Sequence, residues 1–380
     1  MIAHRIFGGT SFFFGDYAAA HDHFQESLAL YDAGKHGELI KRFGQHPWAA
    51  AEIWDALALW ILGRIDESLR LADRALADAG SVEHPPTLAY VHLFRALLGL
   101  LRRNAEATAA ASQALADIVS QYGAFTGYAT FNRGWASWSR SGGEAGLAEM
   151  RDGIAIQREQ GLLSFLPPQE TALAEAEAAA GEVGAGLKRL EAALAEAERM
   201  QHSSELEMHR IRGEILLKRN PADTAAAEQS LQTAIAIAQS QKARSFELRA
   251  ALSLAKLYRA ANRDADAHAV LAPAVKGFPP TQQFPELTEA QTLLAALSES
   301  DAVKSAAALR QRRVRLQISL GNALIWAKGH HAPETSAAFE RARELASRVE
   351  NASERFTELI ASARNLPART YSMPAAMGEK

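Results

Sequence analysis

The chain repeats itself about every 40 residues, and a repeat of that length limits the possible folds more than any other feature of the sequence. In the first copy Gly8, Ser11, Gly15, Tyr17, Ala20, Phe24 and Ser27 stand at the marked positions. Positions equivalent to Ala20 return at Ser68, Ala107, Gly146, Gly186, Ala227 and Ala267, in steps of 48, 39, 39, 40, 41 and 40 residues. Inside each copy the apolar residues recur at helical spacing: Ile53, Trp54, Leu57, Leu59, Trp60 and Leu62 lead to a turn at Gly63 and a return through Leu69, Leu71 and Leu76. Each copy therefore reads as two antiparallel helices. Gly8 and Ala20 mark their close approach, Gly15 their turn, and Phe24 the plug between neighbouring pairs. One such hairpin cannot bury its apolar face alone, so the copies must stack.

A small residue, a glycine turn and a return helix with Ala20-x3-Phe24 resemble the tetratricopeptide repeat, here stretched beyond its usual ~34 residues. The fold so implied is an all-α, right-handed solenoid of about seven to eight helix pairs. Three connections carry helix-stopping residues: Ala79-Gly80-Ser81 with His84-Pro85-Pro86, Gln160-Gly161 with Pro167-Pro168, and Lys276-Gly277-Phe278-Pro279-Pro280. No alternating strand pattern competes. The solenoid is expected over residues 1–280, followed by a capping helix at 281–300. Residues 299–310 read as a polar connection within a segment 301–350 that carries one more helix pair, with Gly321, Leu324, Phe339 and Ala342. A partly disordered tail is expected over 351–380.

Composition removes several classes of function. A net charge of -3 over 380 residues exerts no global pull on nucleic acid or an anionic membrane. The lack of cysteine excludes disulfides, cysteine-ligated zinc and thiol catalysis, and fits the cytoplasm. No apolar run approaches the ~20 residues of a bilayer span. The opening Ile2, Arg5, Ile6, Phe7 and Phe12 to Phe14 read as a first helix and not as a signal peptide, because glycines interrupt them and Asp16 follows at once.

No catalytic constellation emerges, and no cofactor is expected. Gly142-Gly143-Glu144-Ala145-Gly146 lacks the lysine and the preceding strand of a phosphate loop and reads as turn and helix crossing. His21-Asp22-His23 places neighbouring side chains in different directions, so a solvated helix is expected and not a metal site; Gly329-His330-His331 reads as a turn. Glu175 with Glu177, and Glu196 with Glu198, read as solubilising faces. Arg310, Arg312, Arg313 and Arg315 read as an exposed helix start, and Asn351-Ala352-Ser353 as a glycosylation acceptor without meaning in the cytoplasm.

The candidate site is the concave groove lined by the first helix of each pair. It would hold Arg5 and Phe12 from the first copy, Trp60 from the second, and Tyr128, Phe131, Trp135 and Trp138 from the fourth. Arg210, Arg249, Lys256 and Arg259 would follow from the sixth and seventh. An aromatic half then adjoins a basic half, which suits a peptide or helix with apolar anchors followed by acidic residues. The alternative is that the aromatics are inter-helix core.

Ala29-Leu30-Tyr31-Asp32, Arg42-Phe43-Gly44-Gln45-His46-Pro47, the run from Ala56 to Gly63, and Ser245-Phe246-Glu247-Leu248-Arg249-Ala250-Ala251 carry a further resemblance. They are similar to the helical-repeat region of large bacterial proteins that join an adenylate/guanylate cyclase or regulatory domain to a P-loop ATPase module. The resemblance covers residues 4–300. Leu320 to Leu324 with Ala338-Phe339 resemble a repeat that, in that family, precedes the segment matching residue 4; here it comes last. The resemblance implies a regulatory arm with no carried-over catalytic residue. The expected function is non-enzymatic binding of a protein or peptide in the cytoplasm, without direct nucleic acid or membrane contact. Alternatives are a fragment of a cyclase-ATPase regulator without activity of its own, or a transcription-regulator module.

Overall fold

Glycines, prolines and short polar caps set the ends of the helices. Gly15 and Gly63 take φ of 81° and 84° in their turns, a left-handed conformation that side chains resist. Asp16 and Asn104 cap the helices that follow them, accepting from the amides of Ala19 and Ala107. Pro47 and Pro85 occupy first turns, where their missing N–H costs nothing. The resulting chain, a computed structural model, describes residues 1–346 except 37, 121–122, 201–203, 280, 282 and 330–331. The expected tail, His330, His331 and Asn351-Ala352-Ser353 lie outside the described residues.

The helices are α1 (Ile2–Phe13), α2 (Tyr17–Ala29), α3 (Ala33–His36), α4 (Leu39–Phe43), α5 (Pro47–Ile61), α6 (Ile65–Ser81), α7 (Pro85–Leu101) and α8 (Ala105–Val119). They continue as α9 (Thr126–Ser141), α10 (Glu144–Glu159), α11 (Leu166–Ala179), α12 (Val183–Met200), α13 (Glu205–Arg219), α14 (Ala225–Ser240), α15 (Arg244–Ala260) and α16 (Asp264–Val275). The last are α17 (Pro285–Ser298), α18 (Asp301–Lys328) and α19 (Pro333–Ala346). The described residues contain no strand. None of their helices is long and apolar enough to cross a membrane. Two differences from the sequence reading are local. Gly80 lies inside α6, and the chain turns only at Glu83, whose φ is 46°. Residues 301–310 are not a connection: their alanines favour helix, and α18 runs through them.

The contacts divide the chain into Met1–Ala295 and Ala296–Lys380. In the first unit seven hairpins stack in order, from α1 with α2 to α15 with α16. The 48-residue step between the first two copies has its cause in α3 and α4, which are inserted there. Gly8 meets the Phe24 ring so closely that an added Cβ would lie 2.6 Å from it. In the fourth hairpin an added Cβ on Gly153 would lie 2.5 Å from the Phe131 amide nitrogen, so α9 and α10 pack backbone to backbone. In the second unit Gly321 repeats the first device against Phe339, at 2.7 Å.

Helix α5 is buried along almost its whole length, because α1, α2, α6, α7 and α15 all pack on it. That burial changes the reading of His21. Asp55 on α5 is fully buried and accepts from His21 Nδ1 at 2.7 Å and Gln25 Nε2 at 2.6 Å. His21 Nε2 meets Arg64 Nη1 at 2.9 Å, so His21 is a relay between Arg64 and Asp55 and not a solvated residue. Its neighbour His23 faces His4, with nitrogens 3.1 Å apart. No cluster able to hold a metal occurs among the described residues. A second correction concerns Glu177, which is buried and paired with Arg151 at 3.2 Å and Arg189 at 2.8 Å; it is not a solubilising face.

The first unit also returns on itself. Ser245 Oγ donates to the Trp60 carbonyl at 2.5 Å across 185 residues. The Trp60 indole stands edge-on to Phe246 and Phe284, with centroids 5.4 and 5.9 Å away. Thr281 Oγ1 donates to Asp66 at 2.7 Å. The seventh hairpin thus touches the second, and the inner face is drawn around one partly open space.

Candidate functional site

The first helix of every hairpin in the first unit, from α1 to α15, sends side chains to one inner cavity of about 110 Å³. Phe12 and Phe13 come from α1, Leu97 and Leu100 from α7, and Trp135 from α9. Phe165 stands at the start of α11, with Leu206 and Ile211 on α13 and Phe246 on α15. On one side the lining rings Phe12 and Phe165 belong to a continuous aromatic cluster that runs behind the wall. Phe12 meets Trp54 edge-on at 5.2 Å, Trp54 meets Phe94 at 4.7 Å, and Phe94 meets Phe165 at 5.6 Å. Trp54 Nε1 satisfies its one donor on the Tyr90 hydroxyl at 2.6 Å.

The opposite wall is charged and internally paired. Arg103 Nη2 donates to both oxygens of Glu175 at 2.7 Å and lies 3.8 Å from Glu207. Arg210 grips Glu207 through Nε at 2.8 Å and Nη2 at 2.7 Å, and reaches Glu214 at 2.6 Å; Ser253 also donates to Glu214, at 2.7 Å. Arg249 donates from Nε to Glu286 at 2.8 Å and stacks over the Trp60 ring at 5.0 Å. Its Nη2 is 2.5 Å from the same Glu286 oxygen, yet buried and out of line for a hydrogen bond. Burial pushes the Arg249 guanidinium below its ordinary pKa despite Glu286 and Glu207. Burial alone would raise Glu207, but Arg210, Arg249 and Arg103 outweigh it and hold the carboxyl below its usual range.

The structure brings Phe12, Trp135 and Arg249 of the expected groove to the cavity wall, and Arg210 to the layer behind it. Others lie elsewhere. Trp60 is fully buried in the seam between α5 and α15, and Phe131 is fully buried between α9 and α10. Tyr128 is buried against Phe125 and Phe165, which pushes its hydroxyl up to about 12. Trp138 is half-buried at the Gly146 crossing, and Arg5 is half-buried over the Phe43 ring at 5.9 Å. Lys256 is exposed and paired with Glu289 at 2.7 Å, and Arg259 is exposed. Most of the basic half of the groove is therefore already neutralised: Arg210 and Arg249 spend their charge on Glu207, Glu214 and Glu286, and Lys256 on Glu289.

Sequence reasoning missed Phe13, Phe165, Phe246, Arg103, Glu175 and Glu207 at this cavity. A signal existed for Glu207 and Arg210, which stand three apart on one face of α13. None existed for Arg103, whose φ of 55° in the turn after α7 turns it inward.

No known protein-family profile matches the chain. An uncharacterized protein of Rhizobium meliloti is 28% identical over 247 residues, which make up 64% of this chain and 24% of that protein. The chain thus spans about a quarter of that relative's length. The crystal structure of NprR in complex with its cognate peptide NprX is similar with a TM-score of 0.52 at 13% identity, covering 91% of this chain and 98% of that one. Rap protein complexed with Competence and Sporulation Factor is similar with a TM-score of 0.51 at 13% identity, covering 90% of this chain and 99% of that one. These likenesses establish a tetratricopeptide-type α-solenoid.

Proposed function

We propose that the first unit is a non-enzymatic peptide-binding scaffold that takes one apolar side chain of its partner into the inner cavity. The observation that carries this reading is the convergence of seven first helices on a single space with one aromatic wall and one wall of paired charges. At about 110 Å³ the cavity is smaller than an engineered apolar cavity of ~150 Å³ that admits benzene, so it suits one anchor and not a whole helix. The charged wall offers both donors and acceptors, which suits a peptide backbone better than a run of acidic side chains. NprR and Rap share the fold, and NprR is known in complex with a cognate peptide. The reading extends to a regulatory arm of a longer protein: the strings similar to cyclase- and ATPase-bearing regulators support it, as does a match confined to 24% of the relative's length.

The test is selection of a displayed random-peptide library on the purified chain, repeated on Leu206→Trp, which fills the cavity, and on Trp135→Ala, which enlarges it. Peptides sharing one apolar anchor should bind the native chain and be lost on Leu206→Trp while its helical circular dichroism and cooperative melting persist. Trp135→Ala should shift the preferred anchor to a larger side chain. Equal enrichment on native chain and Leu206→Trp would sink the proposal.

A further inference from the structure

A second and larger cavity, about 670 Å³, opens between α6, α7 and α8 and shares no lining residue with the inner one. Its size is that of a small-molecule site. Leu69, Leu76 and Leu98 give it an apolar floor. Its charges are unbalanced: Arg70, Arg95 and Arg102 face Asp66 and Asp73, and His92 beside them is pushed toward its neutral form by burial and by Arg95.

Both carboxylates there are already engaged, and of the arginines Arg95 is spent on Asp73 and the Ala72 carbonyl, whereas Arg70 and Arg102 Nε are not engaged. Asp66 accepts from Thr281 at 2.7 Å, and Asp73 accepts from Arg95 Nη1 at 2.9 Å. Arg102 Nε is a buried donor with no hydrogen-bond partner among the described residues, and the neighbouring His92 Nδ1 is buried and unpaired as well. Arg70 is exposed and has no hydrogen bond or ion pair among the described residues. A buried N–H left without a partner costs about 1–3 kcal/mol, and an anionic oxygen placed beside it recovers that cost with a charge-assisted bond.

We infer that this cleft binds a small organic anion, one phosphate or carboxylate head on an apolar body. The head sits between Arg70 and Arg102, and the body lies on the leucines. Arg102 Nη2 also donates to Gln283 at 3.2 Å, in the segment whose Thr281 closes on Asp66. A bound anion therefore engages the same arginine as the segment that ties the seventh hairpin back to the second.

The experiment is isothermal titration of the full chain with phenyl phosphate, inorganic phosphate and benzyl alcohol at matched ionic strength. Phenyl phosphate should bind saturably, inorganic phosphate more weakly, and benzyl alcohol not at all. Arg102→Gln should weaken phenyl phosphate about tenfold or more, the value of one charge-assisted bond. Arg70→Gln, a change at an exposed side chain, should weaken it severalfold with melting unchanged. The inference is overturned by no saturable heat with either phosphate, by benzyl alcohol binding as well as phenyl phosphate, or by native affinity in both variants. None of these outcomes bears on the inner cavity.

Discussion

The two walls of the inner cavity occupy equivalent helices of the same repeat and are held by opposite chemistry. Near α1, α5 and α7 the wall is made of rings: Phe12 and Phe165 line the space and pack onto Trp54 and Phe94 behind them in edge-on and tilted contacts, with Trp54 donating to the Tyr90 hydroxyl. Near α13 and α15 it is made of charges, with Arg103, Arg210 and Arg249 distributed among Glu175, Glu207, Glu214 and Glu286. Rings lose stability in proportion to the area and volume removed, and neighbours can partly relax around the gap. A desolvated charge network behaves differently, since deleting one member strands its partners in a medium that cannot solvate them. The aromatic wall should therefore be tolerant of shape change and the charged wall intolerant of any change in charge.

The largest effect is expected where the two chemistries meet. Trp60 carries the stacked Arg249 guanidinium and the two seam rings, so Trp60→Ala should cost about 3–5 kcal/mol in urea unfolding. A loss below ~1 kcal/mol would mean that the seam contributes little. Next is Arg210→Met, which keeps the volume and abandons Glu207 and Glu214, at about 3 kcal/mol. Adding Glu207→Gln and Glu214→Gln should recover most of that loss. If the triple variant is no more stable than the single one, the stranded-charge account fails.

A third expectation sets two buried carboxyls against each other by pH. Burial on α5 pushes Glu52 up to about 7, with Arg74 opposing the rise through its bond and charge. Its folded pKa lies above the ordinary value, so its contribution is fully present below about pH 4.5 and is lost as the pH rises through about 7. Glu52→Gln should therefore match the native chain at pH 4 and exceed it by about 2 kcal/mol at pH 8. Glu207 has the opposite sign, its pKa being depressed: its contribution is present above the ordinary carboxylate pKa and is lost as the pH falls through the folded value. Glu207→Gln should lose its penalty in acid, while Glu52→Gln loses its advantage there. Two parallel curves would refute the distinction. The smallest effect should come from Ser245→Ala, which removes the seam hydrogen bond to the Trp60 carbonyl and should cost about 1 kcal/mol by thermal melting.

The hairpins were legible because their rules are local. Gly8 against Phe24 depends on helix spacing within 17 residues, and the same pairing reappears as Gly321 against Phe339. The polar interior was much less legible. Glu177 stands in an Ala/Glu-rich helix whose pattern reads as solvated, yet Arg151 and Arg189 come from neighbouring helices to pair with it. His21 was misread for the same reason, since its partner Asp55 lies 34 residues away on a helix buried on all sides. Of the cavity, Phe12, Trp135 and Arg249 could be named from repeat position alone, whereas Phe165 and Arg103 enter from caps and turns that the repeat does not specify.

Period, helix pairing and the helix of each pair that faces inward follow from patterns spanning one or two repeats, within reach of the amino-acid order, as do the turns at Gly15 and Gly63. The return of the seventh hairpin to the second does not. Ser245 meets Trp60 only because small rotations between successive hairpins add up over 185 residues, and each rotation depends on how side chains of two helices interlock. That sum decides that the inner face is drawn around a cavity of about 110 Å³ and that its arginines are already paired.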